Sequence, residues 1–311
     1  MMFWLSWRQH RTELLVAAAL AIGFSSGMGL LTLQLQGDAA SVHRVCSTTP
    51  GPLCLAAGND FAGTFSLPNF LIYDSLLALP ALAGIFIGAP LLAREFELGT
   101  VRLIWTQGIT RLRWLATKVN LVLVSAAVMS GAIALVAVVM VDAQIQVFTS
   151  RWSSFDIQGS AFVAYVVFGI ALGIAVGGLV RRVLPAMGIT LAVFVAVRLA
   201  VVIWVRPNFL PPLEWDISKP MTDVGDTWNV GQRAVDLSGH AVSQSYYNQL
   251  MANAGFLQGS VGDYLRAHGV VVYQLYQPES RFWLFQNLEA GLFIALAAGL
   301  IAVTVWSMRR A

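Results

Sequence analysis

The 311-residue chain is 57% hydrophobic and only 11% charged, whereas a soluble domain carries about 25% charged residues. Most of its surface is therefore not built to face water. Its 19 Lys and Arg against 16 Asp and Glu leave a formal charge of +3. The basic residues flank apolar runs and form no basic domain, which excludes a nucleic-acid partner.

In chain order, Arg8 and Arg11 precede an apolar run at residues 14–35. It is longer than the 7–15 residues of a signal-peptide core, so a retained span is expected. The polar segment that follows holds both cysteines, Cys46 and Cys54. They form either a small disulfide loop, if the segment is extracytoplasmic, or two free thiols. His43 is their only nearby histidine, so a closed zinc site is not expected and no metal is assigned. Further spans are expected at residues 70–93, 119–141, 159–180, 183–205 and 288–306, each long enough to cross a bilayer. Pro80 and Pro90 are expected to kink or end the second. Gly84 and Gly88 in the second span, and Gly169, Gly173 and Gly177 in the fourth, recur every four residues. That spacing suits close helix packing, or simply reflects how common glycine is in membrane helices.

Arg198 is the clear charge inside a span. It either lines a translocation path or holds an anionic group, or it snorkels or pairs with an acid such as Asp74 or Glu289. The fold class expected is all-α: a polytopic membrane protein of six transmembrane helices forming one transmembrane domain.

Basic residues orient the spans. Arg8 and Arg11, then Arg94, Arg102, Arg111, Arg113 and Lys118, then Arg181 and Arg182, then Arg309 and Arg310 occupy alternate connections. Both termini are expected in the cytoplasm. The opposite connections carry the acids, and the largest of them, residues 206–283, reads as a structured external segment. It has short helices at residues 243–257 and 261–268, and Trp215, Trp228, Tyr246, Tyr247, Tyr264, Tyr273 and Tyr276 either pack a small core or rest on the membrane interface.

Residues 94–118 read REFELGTVRLIWTQGITRLRWLATK. Gly99 can end the helix leaving span two, and Thr100 can cap a short helix at residues 101–107. Gly108 ends that helix, and Thr110 can cap the next. The short helix carries Val101, Leu103, Ile104 and Trp105 beside Arg102 and Gln107. Its apolar face suits either the membrane surface or a groove in another protein.

This segment resembles the first cytoplasmic loop of ABC-2-type transporter permeases. The family pattern of an acid before Gly-Thr, an apolar-basic stretch, Ser/Thr-Arg and a Lys falls on Glu97, Gly99-Thr100, Arg102 to Trp105, Thr110-Arg111 and Lys118. Gly108-Ile109 stands where the family usually has Pro. The stretches GAPLLAREFELGT and WLSWRQHR resemble permeases common in actinobacteria.

The resemblance implies an ABC-2 (type V) exporter-like fold, with a coupling helix seated in a separate cytoplasmic ATPase. It assigns coupling to Glu95, Glu97, Gly99, Thr100, Arg102, Leu103, Ile104, Trp105, Thr106 and Arg111. It also implies an N-terminal interfacial helix at residues 4–11, two ATPase copies, a second permease, as a homodimer or a pair of related permeases, and residence in a bacterial cell membrane.

The chain contains no G-x-x-x-x-G-K-[ST], and its only lysines are Lys118 and Lys219. ATP and Mg are therefore expected on the partner and no cofactor on this chain. No catalytic residue is assigned: H-E-x-x-H, G-x-S-x-G and paired carboxylates in the spans are missing from the sequence. The expected activity is outward movement of a hydrophobic or amphipathic cargo, such as a drug, an antibiotic peptide or a lipid. The alternative is a non-transporting sensor or scaffold with a ligand-binding external cap.

Overall fold

The computed structural model describes residues 2–49, 51–99, 110–145, 150–220, 226–254 and 261–310, the side chains of 1–14, 17, 111 and 310 excepted. Six of its helices are long and apolar enough to cross a membrane. The chain divides into two compact units, one of residues 1–149, 154–203 and 286–311, the other of residues 150–153 and 204–285.

The first unit is helical. Helix α1 runs over Met2–Thr48 and α2 over Pro52–Ala83. The hairpin between them turns where Gly51 takes φ 121° and Pro52 occupies the first helical turn, a position that needs no N–H donor. At 1.5 Å per residue α1 is about 70 Å long, well beyond a hydrocarbon core of about 30 Å. The expected spans at 14–35 and 70–93 are thus portions of longer helices. Loss of hydropathy marks where lipid contact ends, but residues 36–48 lack proline and have no cause to leave the helix. The residues expected as an interfacial helix, 4–11, continue into α1 without a break. Cys46 and Cys54 lie with Cα atoms 4.6 Å apart and their sulfurs bonded, clasping the hairpin tip.

Neither expected proline ends the second span. The helix passes Pro68 and Pro80, widens into a π-turn at Gly84–Gly88, and resumes as α3, Ala89–Glu97, with Pro90 in its first turn. Helix α4, Arg111–Ile145, is the third span, α5, Gly159–Val180, the fourth, and α6, Val183–Ala200, the fifth. The last is α9, Phe282–Arg310, following two short helices of the second unit. Helix α5 is the centre of the bundle: most of its residues are buried, among them Phe162, Tyr165, Phe168 and Ile174.

The second unit adds strands that the helical reading of the chain did not foresee. Strands β1, Leu213–Asp216, and β2, Thr227–Asp236, both pair antiparallel with β3, Val270–Pro278, which lies central. Trp215 faces Gln274 and Arg233 faces Tyr273 across the sheet, with a bulge at Asn229–Gly231. Helices α7, Gln244–Ala254, and α8, Val261–Ala267, fall within the expected short helices. Leu250, Leu265, Val270 and Val272 form the core, with Tyr247 and Tyr264 packed against it. Trp228 stacks on Trp152 at 5.4 Å, and Phe282 and Phe285 meet Trp152 edge-on. Several of the aromatic residues therefore build this unit's interior.

Candidate functional site

The end of α3 positions the acids of the loop motif. Ala89 and Ala93 pack tightly against Ala186 of α6, with Val176, Val180 and Met187 around them. This seat holds Glu95, Phe96 and Glu97 at the rim of the bundle. The Glu95 carboxylate pairs with the Lys118 ammonium of α4, which is 3% exposed and lies 5.3 Å over the Trp114 ring. Phe96 lies 5.1 Å beneath the Arg181 guanidinium. Glu97 Oε2 accepts a 3.0 Å hydrogen bond from the Val183 N–H.

The Arg181-Arg182 link is locally shaped for this. Arg181 takes a left-handed conformation, φ 59°, and donates its N–H to the Gly177 carbonyl, closing α5. Arg182 is extended and offers no side-chain cap, because a guanidinium cannot accept a hydrogen bond. Helix α6 therefore begins with unsatisfied N–H groups, and Glu97 supplies the missing acceptor from a different helix.

Gly99 has φ 69°, the left-handed value expected of a helix terminator. Of the other residues assigned to coupling, Thr100, Arg102, Leu103, Ile104, Trp105 and Thr106, and the Arg111 side chain, lie outside the described residues. The Trp114 N–H donates to the Thr110 carbonyl at 3.2 Å, which puts Thr110 at the cap of the returning helix.

Spans two and four meet backbone to backbone. A Cβ on Gly84 would lie 2.6 Å from the Gly169 carbonyl oxygen, and one on Gly88 2.5 Å from that of Ile170. Cβ atoms on Gly169, Gly173 and Gly177 would meet the carbonyls of Pro80, Gly84 and Ala89 at 2.3–2.4 Å. All five glycines are required by one seam, so here composition alone is not the explanation.

Arg198 lies fifteen residues beyond Val183 on α6, about 22 Å further along the bundle. Its two terminal nitrogens reach Asp156 Oδ1 and Glu289 Oε1, both at 3.0 Å. The guanidinium lies 3.6 Å over the Tyr165 ring, and the Tyr165 hydroxyl donates to Glu289 at 2.7 Å. Glu289 is fully buried, and Phe293 closes the far side. Glu289 is one of the two acids the sequence offered as partners, while Asp74 makes no ion pair with Arg198. Asp156 and Tyr165 carry no sequence signal for this role, since nothing local places them beside Arg198. Alongside, Gln286 donates to the Phe155 carbonyl and accepts from the Ala161 N–H, at 2.7 and 3.0 Å. The cation is thus engaged by two carboxylates and ties α5, α6 and α9 together.

Among the described residues, no cluster of three or more His, Cys, Asp or Glu could hold a metal ion. The geometry is that of a helix bundle with a clasped loop stem. Comparison with curated proteins finds no match. The family described as ABC-2 membrane transporter related has a model that matches residues 14–206, which takes in the first five spans and the whole loop stem. The chain is a multi-pass membrane protein and belongs to that family.

Proposed function

We propose that this membrane transporter component is the permease subunit of an ATP-driven exporter in a bacterial cell membrane. Energy comes from a separate cytoplasmic ATPase, present in two copies and carrying ATP and Mg, and a second permease copy completes the transport unit. The observation that carries this reading is the stem of residues 95–118. The acids on one side of the motif are clasped to spans three and five, in a chain that has no phosphate-binding loop of its own. Residues 100–109 between the clasped ends supply the coupling helix, and Leu103, Ile104 and Trp105 its docking face.

Both termini lie in the cytoplasm in this reading. The alternation of basic connections supports that orientation, as does the bonded Cys46–Cys54 pair, which belongs in an oxidising compartment on the opposite side. The apolar spans, with few charged groups inside them, suit a hydrophobic or amphipathic cargo such as a drug, an antibiotic peptide or a lipid.

The test is co-purification of the tagged chain from its native membrane. An ATPase subunit is expected to accompany it, and to be lost when Leu103, Ile104 and Trp105 are replaced together by Ser. Retention of the ATPase in that variant overturns the docking role, and absence of any ATPase from the parent overturns the exporter reading. A second reading, a sensor or scaffold, is favoured by the separate sheet-bearing unit of residues 204–285, which has a core of its own. Ligand-stimulated ATP hydrolysis without flux in reconstituted vesicles would select it.

A further inference from the structure

Two arginines make up the whole link between spans four and five, and the backbone at the first of them is strained. Gly51, Gly99, Gly159, Gly239 and Gly269 take positive φ, and among the described residues Arg181 is the one residue with a side chain that does so. A helix end of this kind ordinarily takes glycine, because a Cβ is unfavourable there. Closing α5 needs only the Arg181 N–H. An arginine kept at such a place points to a use for its side chain.

The guanidinium groups here are not spent inside the molecule. Arg181 lies over the Phe96 ring but is exposed, and so are Arg182 and Arg94, the last on the same side of α3 as Glu97. Among the described residues, none of the three makes an ion pair. The acids of α3 are engaged elsewhere, Glu95 with Lys118 and Glu97 with the Val183 N–H. Below the arginines the surface is apolar. Leu184 is 80% exposed, and Leu191 and Val195 are exposed on the same face of α6. Gly188 lies between them with open space where a Cβ would stand, which leaves a shallow groove. From Leu184 to Val195 this face runs about 16 Å, close to half of a hydrocarbon core about 30 Å thick. A soluble anion would leave that face bare. Cationic heads at the top of an apolar strip one leaflet deep match a phospholipid.

We propose that Arg94, Arg181 and Arg182 form a binding site for an anionic phospholipid. The headgroup phosphate lies on the guanidinium groups, which suit it as charged, forked donors. An acyl chain lies along Leu184, Gly188, Leu191 and Val195. The site needs no ATPase, and it stands whichever leaflet the link faces.

The experiment uses the purified full chain in detergent, titrated with dioleoylphosphatidylglycerol or dioleoylphosphatidylcholine and read by native mass spectrometry. The parent should prefer the anionic lipid, and each arginine removed should cost about fivefold in that preference. Arg181→Gly relieves the backbone strain, so this variant should unfold no lower than the parent while losing its share of the preference. Adding Arg182→Gln and Arg94→Gln should abolish the rest. Arg113→Gln with Arg309→Gln, exposed arginines of α4 and α9, should leave the preference intact. Equal affinities of the parent for the two lipids overturn the proposal, as does a preference that survives in Arg181→Gly or in the triple variant. Displacement of the bound lipid by glycerol phosphate at matched concentration would mark a site for a soluble anion and also overturn it. A triple variant that keeps the lipid but loses a co-purifying ATPase would assign this face to that protein instead.

Discussion

Two charged junctions among the described residues of the bundle are built from the same residue types and differ in which of their groups water can reach. At the stem, Glu95 meets the buried Lys118, and the exposed Glu97 meets a helix N-terminus. About 22 Å along α6, Arg198, Asp156 and Glu289 meet in the interior. Glu289 in the inner junction is fully buried and has no water to fall back on, so it depends on Arg198 and Tyr165, while Asp156 is only partly buried. Of the stem groups, the exposed Glu97 can exchange its partner for water at small cost, whereas the buried Lys118 cannot. The difference separates a brace from a joint: the triad holds three spans in register, and at the stem the exposed Glu97 cap is the joint that water can replace.

The contrast is broken most severely from the inside. Arg198→Ala leaves the buried Glu289 and the partly buried Asp156 without their cation, and it should lower stability by about 3–5 kcal/mol, read as a fall in the thermal unfolding midpoint of the purified protein. A midpoint within error of the parent would mean the triad is no brace. Next comes the seam between spans two and four. Gly173→Ala sets a methyl group 2.3 Å from the Gly84 carbonyl oxygen and should cost about 1–3 kcal/mol. Gly188→Ala on α6, where a Cβ meets nothing within 4 Å, is the control and should cost nothing. Equal effects at the two sites would refute the seam.

A third carboxylate, outside the spans, sharpens the comparison through pH. Asp216 is 7% exposed. Burial pushes its pKa up, but hydrogen bonds from the Ser218 hydroxyl and N–H, with the Arg266 and Lys219 charges, outweigh that and hold it below its ordinary value of 3.8. A depressed folded-state pKa contributes stability that is present above the unfolded value and is lost as pH falls through the folded one. Acidification below about 4 should therefore weaken the second unit. Asp216→Asn should cost about 1.5 kcal/mol at neutral pH and remove part of that acid dependence. An unchanged acid profile in the variant would discount the Ser218 and Arg266 bonds.

The smallest stability effect belongs to the joint itself. Glu97→Ala removes one exposed helix cap, worth about 0.5–1 kcal/mol, so the unfolding midpoint should barely move. A large drop would place Glu97 with the brace.

Six spans were legible because bilayer crossing imposes a long apolar run, and each run shows in the sequence whatever the tertiary structure. The helix ends at Thr48 and Pro52 were not, because hydropathy reports the solvent around a helix and not its length. Strand β3 did carry a local signal in Val270, Val271, Val272 and Tyr273. Its partner β1 is four residues long and nearly sixty residues earlier, and no local pattern announces a strand that short. The acids of the stem stood out beside Gly99. Their partners did not, because Lys118 is twenty-three residues away and Val183 contributes only a backbone N–H. Arg198 could be seen as anomalous in an apolar run, but its company is decided by the packing of α5, α6 and α9.

The clasp at the tip of the first hairpin has a mechanical consequence. Helices α1 and α2 are long enough for a small tilt at one end to become a large displacement at the other. With Cys46 bonded to Cys54, their far ends cannot slip past each other by a helical turn. Any tilt at the tip is therefore shared by both helices, because one bond joins their ends.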